Sequence, residues 1–316
     1  MLCCSRPAII CVSFVAALLA AAAPAAAQFD LAGEWAARTG EDQPHRVPGP
    51  DLGDYTGLPL NAAARQKAES WDASILSQPE QQAKPHPAQY QMRGPGPNMR
   101  WTKIVDPVSG RLIAFTVVGM FGRADRTIWM DGRPHPSQYA EHTFAGFSTG
   151  EWEGNALKVT TTHMKAAFIQ RNGAPSSYKA VMTEYYVRHG EHLLLLSLID
   201  DPVYLEEPMV RTSNWMLALA QHVGTATPFE TVDELADKPL GWVPHWPLGT
   251  RHTRFGEQFG LPYEATSGGR ETLYPEYVKK LQQMIRDRGL KPRAPAPPQG
   301  APAQPAPAPS PSVSQP

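Results

Sequence analysis

Connector length constrains this chain more than any other feature. Nine stretches rich in β-branched and aromatic residues follow one another: FDLAGEWAA near residue 29, MRWTKIVD from Met99, RLIAFTVVG from Arg111, DRTIWMD from Asp125, HTFAGFSTGEW from His142, ALKVTTTHM from Ala156, YKAVMTEYYVR from Tyr178, HLLLLSLID from His192 and VYLEEPMVRT from Val203. Several connectors are only a few residues long, as at Asp106 to Gly110, Glu153 to Asn155 and Arg188 to Glu191. Such loops join antiparallel neighbours, because a parallel crossover needs about a dozen residues or more. Sequential antiparallel strands lose their exposed edges by closing on themselves. The chain therefore reads as mainly β, an antiparallel up-and-down barrel of about eight to ten strands with flanking helices. One helix is expected where Asn61 can cap NAAARQKAESW, another over Tyr274 to Arg288 with Gly289 as its stop.

The two ends of the chain are of a different kind. Residues 1–27 carry only Arg6 ahead of an apolar run from Ala8 to Ala23 and end on Ala25-Ala26-Ala27, the pattern of a cleaved signal peptide. An uncleaved anchor helix is the competing reading, and Pro24 with the alanine site favours cleavage. Cys3, Cys4 and Cys11 all lie in this segment, so the mature chain has no thiol for a disulfide, a nucleophile or a metal ligand. Residues 28–290 form the barrel domain with its helical flanks, and residues 291–316 are a Pro/Ala-rich tail without the makings of a core. The product is expected in a periplasm or outside the cell, with no membrane span after cleavage. Lys plus Arg number 29 against 30 Asp plus Glu, with no long basic run, which argues against nucleic acid as a partner. Nothing in the sequence fixes the oligomeric state.

Candidate chemistry centres on His163. In ALKVTTTHM it continues the side of Leu157, Val159 and Thr161, so it is either a satisfied core residue or a group facing a pocket. On the next long strand, polarity puts Val181, Thr183, Tyr185 and Val187 inward. The opposite choice places Met182, Glu184, Tyr186 and Arg188 inside, and Glu184 would then orient His163 as an acid/base pair. The segment from Arg123 to His135 groups charge with aromatics. It reads either as surface ion pairs or as a barrel mouth where Arg126, Trp129, Arg133 and His135, with His142, Tyr186 and Arg188, contact a ligand. Gly146-Phe147-Ser148-Thr149-Gly150 matches the nucleophile-elbow pattern, but a hairpin follows it instead of the helix that chemistry requires. His135, His142 and His163 are the raw material for a zinc site, yet no metal motif is present; His189 and His192 fall in a hairpin turn. No cofactor is implied, since no dinucleotide fingerprint occurs and the Arg93 to Pro97 loop has two prolines that remove backbone donors.

Two groups of residues carry a resemblance. Gly33-Glu34-Trp35 is similar to the Gly-x-Trp of lipocalins, whose tryptophan plugs the narrow end of the barrel. DYTGLPLN, RTIWMDGRPHP, HTFAGFSTGEWEGNALKVTTTHMK, TEYYVRHGEHL, DDPVYLEEP and YPEY, spread over residues 30–280, resemble a family of secreted bacterial proteins with a lipocalin-like central region and no established reaction. Members tend to carry cysteines where this chain has Ala83 and the neighbourhood of Pro228 and Phe229, so any disulfide of that family is absent here. The resemblance implies secretion and a barrel, and hands over no catalytic residues. Three functions remain open from the sequence. One is binding of a small apolar or aromatic molecule in the barrel cavity. The others are a cofactor-independent lyase, isomerase or hydrolase using His163 and Glu184 there, and a structural envelope protein with a filled barrel.

Overall fold

The computed structural model describes residues 29–38, 50–82, 84–91, 98–119, 125–220, 223, 230–234, 237–239 and 241–293. The leader 1–27, Ala83, the 93–97 loop, Pro228, Phe229 and the tail from residue 294 onward lie outside them. Among the described residues, no helix is long and apolar enough to cross a membrane.

Alternation of apolar and polar side chains builds the sheet. The strands are β1 (Gly33–Ala37), β2 (Met99–Val105), β3 (Leu112–Gly119), β4 (Arg126–Trp129), β5 (Phe147–Glu153), β6 (Ala156–Thr162), β7 (Ala167–Phe168), β8 (Pro175–Ser176), β9 (Val181–His189), β10 (His192–Asp200) and β11 (Met209–Leu217). Nine of them close a barrel in the order β1-β11-β10-β9-β6-β5-β4-β3-β2, and β7 with β8 forms a separate two-stranded ribbon. The closed, mainly antiparallel architecture is the one connector lengths called for. Two details differ. The last strand begins at Met209, not Val203, because the chain first turns at Asp201 to Leu205, where Asp201 accepts from the backbone N–H of Ser177 and of Val203. And β4 pairs with β5 in parallel, Ile128 opposite Ser148. A parallel pair obliges residues 130–146 to carry the chain back to the end where β4 began, and this strap does so across the outside of the barrel wall.

The lumen is occupied by side chains. Trp35, Trp101, Trp215 and Phe115 expose at most 1% of their surface, and Met182, Leu157 and Ile199 none. A side chain lining a hollow wide enough for water would leave area uncovered towards it; these leave none. Trp101 meets Phe115 and Tyr186 edge to face, with centroids 5.5 and 5.0 Å apart. At Gly150, on the inner face of β5, a methyl group would lie 2.5 Å from the sulfur of Met130 and 3.1 Å from Ile128 Cγ2.

Both ends are closed. At the end bearing the β5–β6 and β9–β10 turns, Phe29 packs on Trp152 at 4.9 Å, Trp35 Nε1 donates to Leu31 O at 2.9 Å, and Arg188 lies over the Trp35 ring and donates to Asp30 O. At the other end sits the helix Ala62–Glu69, whose cap is Asn61: its Oδ1 accepts from the Ala64 N–H at 2.9 Å. That layer puts Tyr55, Leu58, Leu60, Ala64 and Ala68 into the same apolar core as the barrel residues. The C-terminal helix runs Glu276–Arg288 and stops at Gly289, whose φ of 60° suits a residue without Cβ.

Candidate functional site

The titratable side chains singled out on and around β4, β5, β6 and β9 form two groups, one inside the barrel and one outside. The inner group is built on β4, β5, β6 and β9. Register places Val159 opposite Glu184 and Thr161 opposite Ser148, so Glu184 shares the inward side with Leu157 and Val159. Arg126, 4% exposed, grips Glu184, 1% exposed, through Nη1 at 3.0 Å and through Nη2. Its Nε donates to Ser148 Oγ at 3.0 Å and its Nη2 to Thr161 Oγ1 at 2.8 Å, while Tyr186 Oη donates to Glu184 Oε1 at 2.9 Å. Burial by itself would make the guanidinium easier to deprotonate, but the carboxylate beside it holds its pKa above the ordinary arginine value. Every oxygen of Glu184 is thus spoken for, and the group is an internal ion pair wrapped in apolar side chains.

This settles several sequence expectations by geometry. On β9 it is Met182, Glu184, Tyr186 and Arg188 that point inward, against the polarity rule, because Arg126 supplies the charge that compensates Glu184. Ser148 is fully buried, lies within a strand and bonds to Arg126 and Thr161, so it is no exposed elbow nucleophile. His163 and Glu184 are not brought together. His163 follows the last residue of β6 at φ 56°, among the described residues the one non-glycine with a left-handed backbone. That twist breaks the alternation and turns the imidazole away from the lumen side, onto the strap.

The outer group lies where the strap crosses β5 and β6. His135, from the strap, bonds Thr149 Oγ1 through Nε2 at 2.8 Å and Thr162 Oγ1 through Nδ1 at 2.7 Å. Thr162 Oγ1 also lies 2.7 Å from His163 Nδ1, and His163 Nε2 lies 2.9 Å from Ser137 O. The carbonyl accepts only, so neutral His163 carries its proton on Nε2 and takes the Thr162 hydroxyl proton on Nδ1. Thr162 must then accept from His135 Nδ1–H, which leaves His135 Nε2 to accept from Thr149. With both rings neutral, one arrangement of protons satisfies the whole chain. Burial first, and then the neighbouring His163, push the His135 pKa below its ordinary value. His142 lies against His163 with centroids 5.1 Å apart and against Tyr178 at 5.7 Å. Among the described residues its ring nitrogens have no hydrogen-bond partner.

The residues singled out from the sequence therefore fall in four places. His135, His142 and His163 meet on the outer wall. Trp129 and Arg133 stand at the start of the same strap, the guanidinium 3.5 Å above the indole and paired with Asp131. Arg126, Glu184 and Tyr186 are in the lumen, and Arg188 is at the closed end. Although three histidines meet, no group of three or more His, Cys, Asp or Glu among the described residues is arranged to hold a metal ion. Thr149, Thr162, Ser137 and Tyr178 were missed as site residues. Threonines on the outer face of a strand look like ordinary surface, and only the strap above them gives them partners. No family model, no curated protein and no solved structure matches the chain.

Proposed function

We propose that the protein binds a small aromatic acid on the outer wall of its barrel, at the His142 imidazole, and that the barrel is the rigid support for that site. The observation that carries this reading is the state of His142: a half-buried imidazole, its ring against His163 and Tyr178, whose nitrogens have no hydrogen-bond partner among the described residues. A partly desolvated polar group without a partner favours an outside hydrogen-bonding group in its place. Tyr178, 55% exposed, offers a flat apolar surface beside it, and Lys179 and Lys165 close by supply positive charge. An aromatic body with a carboxylate matches that combination. The packed lumen weighs against a ligand inside the barrel. The reading keeps export as its setting, with residues 1–27 as a removable leader.

Titrating protein labelled at the histidine rings and the methionine methyls with benzoate, followed by the imidazole Hε1 and methyl resonances, tests it. The expected result is a saturable shift of the His142 signal that disappears in His142→Ala. Saturable shifts confined to the lumen methyls of Met182 and Met209 would move the site back inside the barrel and overturn the reading. No saturable shift anywhere would also overturn it and leave a purely structural role.

A further inference from the structure

The strap between β4 and β5 is fastened to the barrel in an unusual way. Its ends are held by backbone bonds: Met130 N–H donates to Ile113 O at 2.7 Å, and Thr143 exchanges bonds with the chain on either side of Met164, receiving at its carbonyl from Lys165 N–H and donating to His163 O, each at 2.9 Å. Between those ends, among the described residues, the bonds of residues 131–142 that involve no imidazole are internal, such as Ala140 N–H to Ser137 O and Arg133 to Asp131. Among the described residues, each hydrogen bond from this stretch to the barrel wall passes through one of two imidazoles, His135 on Thr149 and Thr162, or His163 on Ser137 O.

We propose that the strap is a two-proton latch, closed while at most one of His135 and His163 is charged and released when both are. One proton is accommodated. If His163 becomes charged, its Nδ1–H donates to Thr162, which can accept from both rings once its own proton turns aside. If His135 becomes charged instead, its Nε2–H donates to Thr149. When both are charged, two cations are left with a single hydroxyl between them, each ring 2.7 Å from the same oxygen. Among the described residues, no carboxylate bonds to either ring to offset that repulsion. On the strap, Asp131 is engaged by Arg133, Glu141 is exposed and bonds neither ring, and His142 adds a third titratable ring. On β5 and β6, Glu151 and Glu153 are both taken by Lys158. The segment after β6 contributes Lys165 and Lys179, which are cations, and Tyr178. The latch stands independently of any ligand at His142, although release would uncover the wall on which that ring sits.

Backbone relaxation measurements on the whole mature protein at about pH 7.5 and about pH 5 test this, since that range spans histidine titration. Order parameters for residues 131–142 should be near 0.85, roughly the rigid-backbone value, at the higher pH and fall below about 0.6 at the lower, while β9 and β10 stay rigid. In His135→Gln, which keeps hydrogen-bonding capacity and removes one charge, the strap should stay rigid at both. If that variant fails to fold, His163→Gln serves the same purpose. A wild-type strap equally rigid at both pH values, or a glutamine variant that loosens as far as wild type, would overturn the latch. Neither result depends on benzoate binding, so the two proposals fail separately.

Discussion

Glu184 shows how a single side chain can reverse the orientation of a strand. Alternation in VMTEYYVR offered two faces, and hydropathy favoured the one without the carboxylate; the barrel uses the other, with Glu184 paired to an arginine 58 residues earlier. Removing one partner of such a pair leaves an uncompensated charge in an apolar interior. Glu184→Gln is therefore expected to lower the unfolding free energy by about 3–5 kcal/mol in urea titrations, and the double replacement Arg126→Met with Glu184→Met should recover most of it. A loss below about 1 kcal/mol would mean that water reaches the pair. His135 makes a second prediction at this scale. Its folded-state pKa lies below the ordinary 6.5, so the unfolded chain binds more protons as the pH falls. The stability it contributes is complete above about pH 6.5 and is lost as the pH drops below that. His135→Gln should flatten this part of the stability-against-pH curve, and an unchanged curve would contradict the assignment. Neither the ion pair nor the imidazole chain left a trace in local sequence, because strand register brings the first together and the fold of the strap over the barrel wall the second.

Elements were legible wherever period and punctuation agreed. HLLLLSLID, the Asn61 cap and the Gly289 stop were read correctly because each depends on its own few residues. The strap was not legible. Asp131-Gly132-Arg133-Pro134 carries the marks of a tight turn, and a tight turn would have made β4 and β5 antiparallel; the register shows them parallel. What holds the strap down is a hydroxyl on the outer face of β6. Thr162→Val should cost about 1–3 kcal/mol, because it strips both imidazoles of a partner at once. Thr160→Val, two residues earlier on the same outer face, should change stability by less than about 0.5 kcal/mol. Thermal unfolding of the two variants side by side checks the difference, and equal losses would mean that the hydroxyl shared by the two imidazoles contributes no more than an ordinary surface hydroxyl.

For the molecule as a whole, closure of the sheet followed from the connectors, whereas the state of its interior did not. A barrel of nine strands has room for either a small ligand or its own side chains, and the choice depends on the volumes of residues drawn from every strand. Here tryptophans from β1, β2 and β11 converge and the ends are shut by Phe29, Leu31 and the helical layer, which moves the accessible chemistry to the outer wall. The most direct test is the stability of Gly150→Ala, measured by equilibrium urea unfolding. With Met130, Ile128 and Leu157 already against that position, the added methyl is expected to cost about 1–3 kcal/mol, the usual penalty for overpacking. Stability unchanged or raised would mean that the lumen has space at its wall, and would contradict the filled barrel on which the outer site depends.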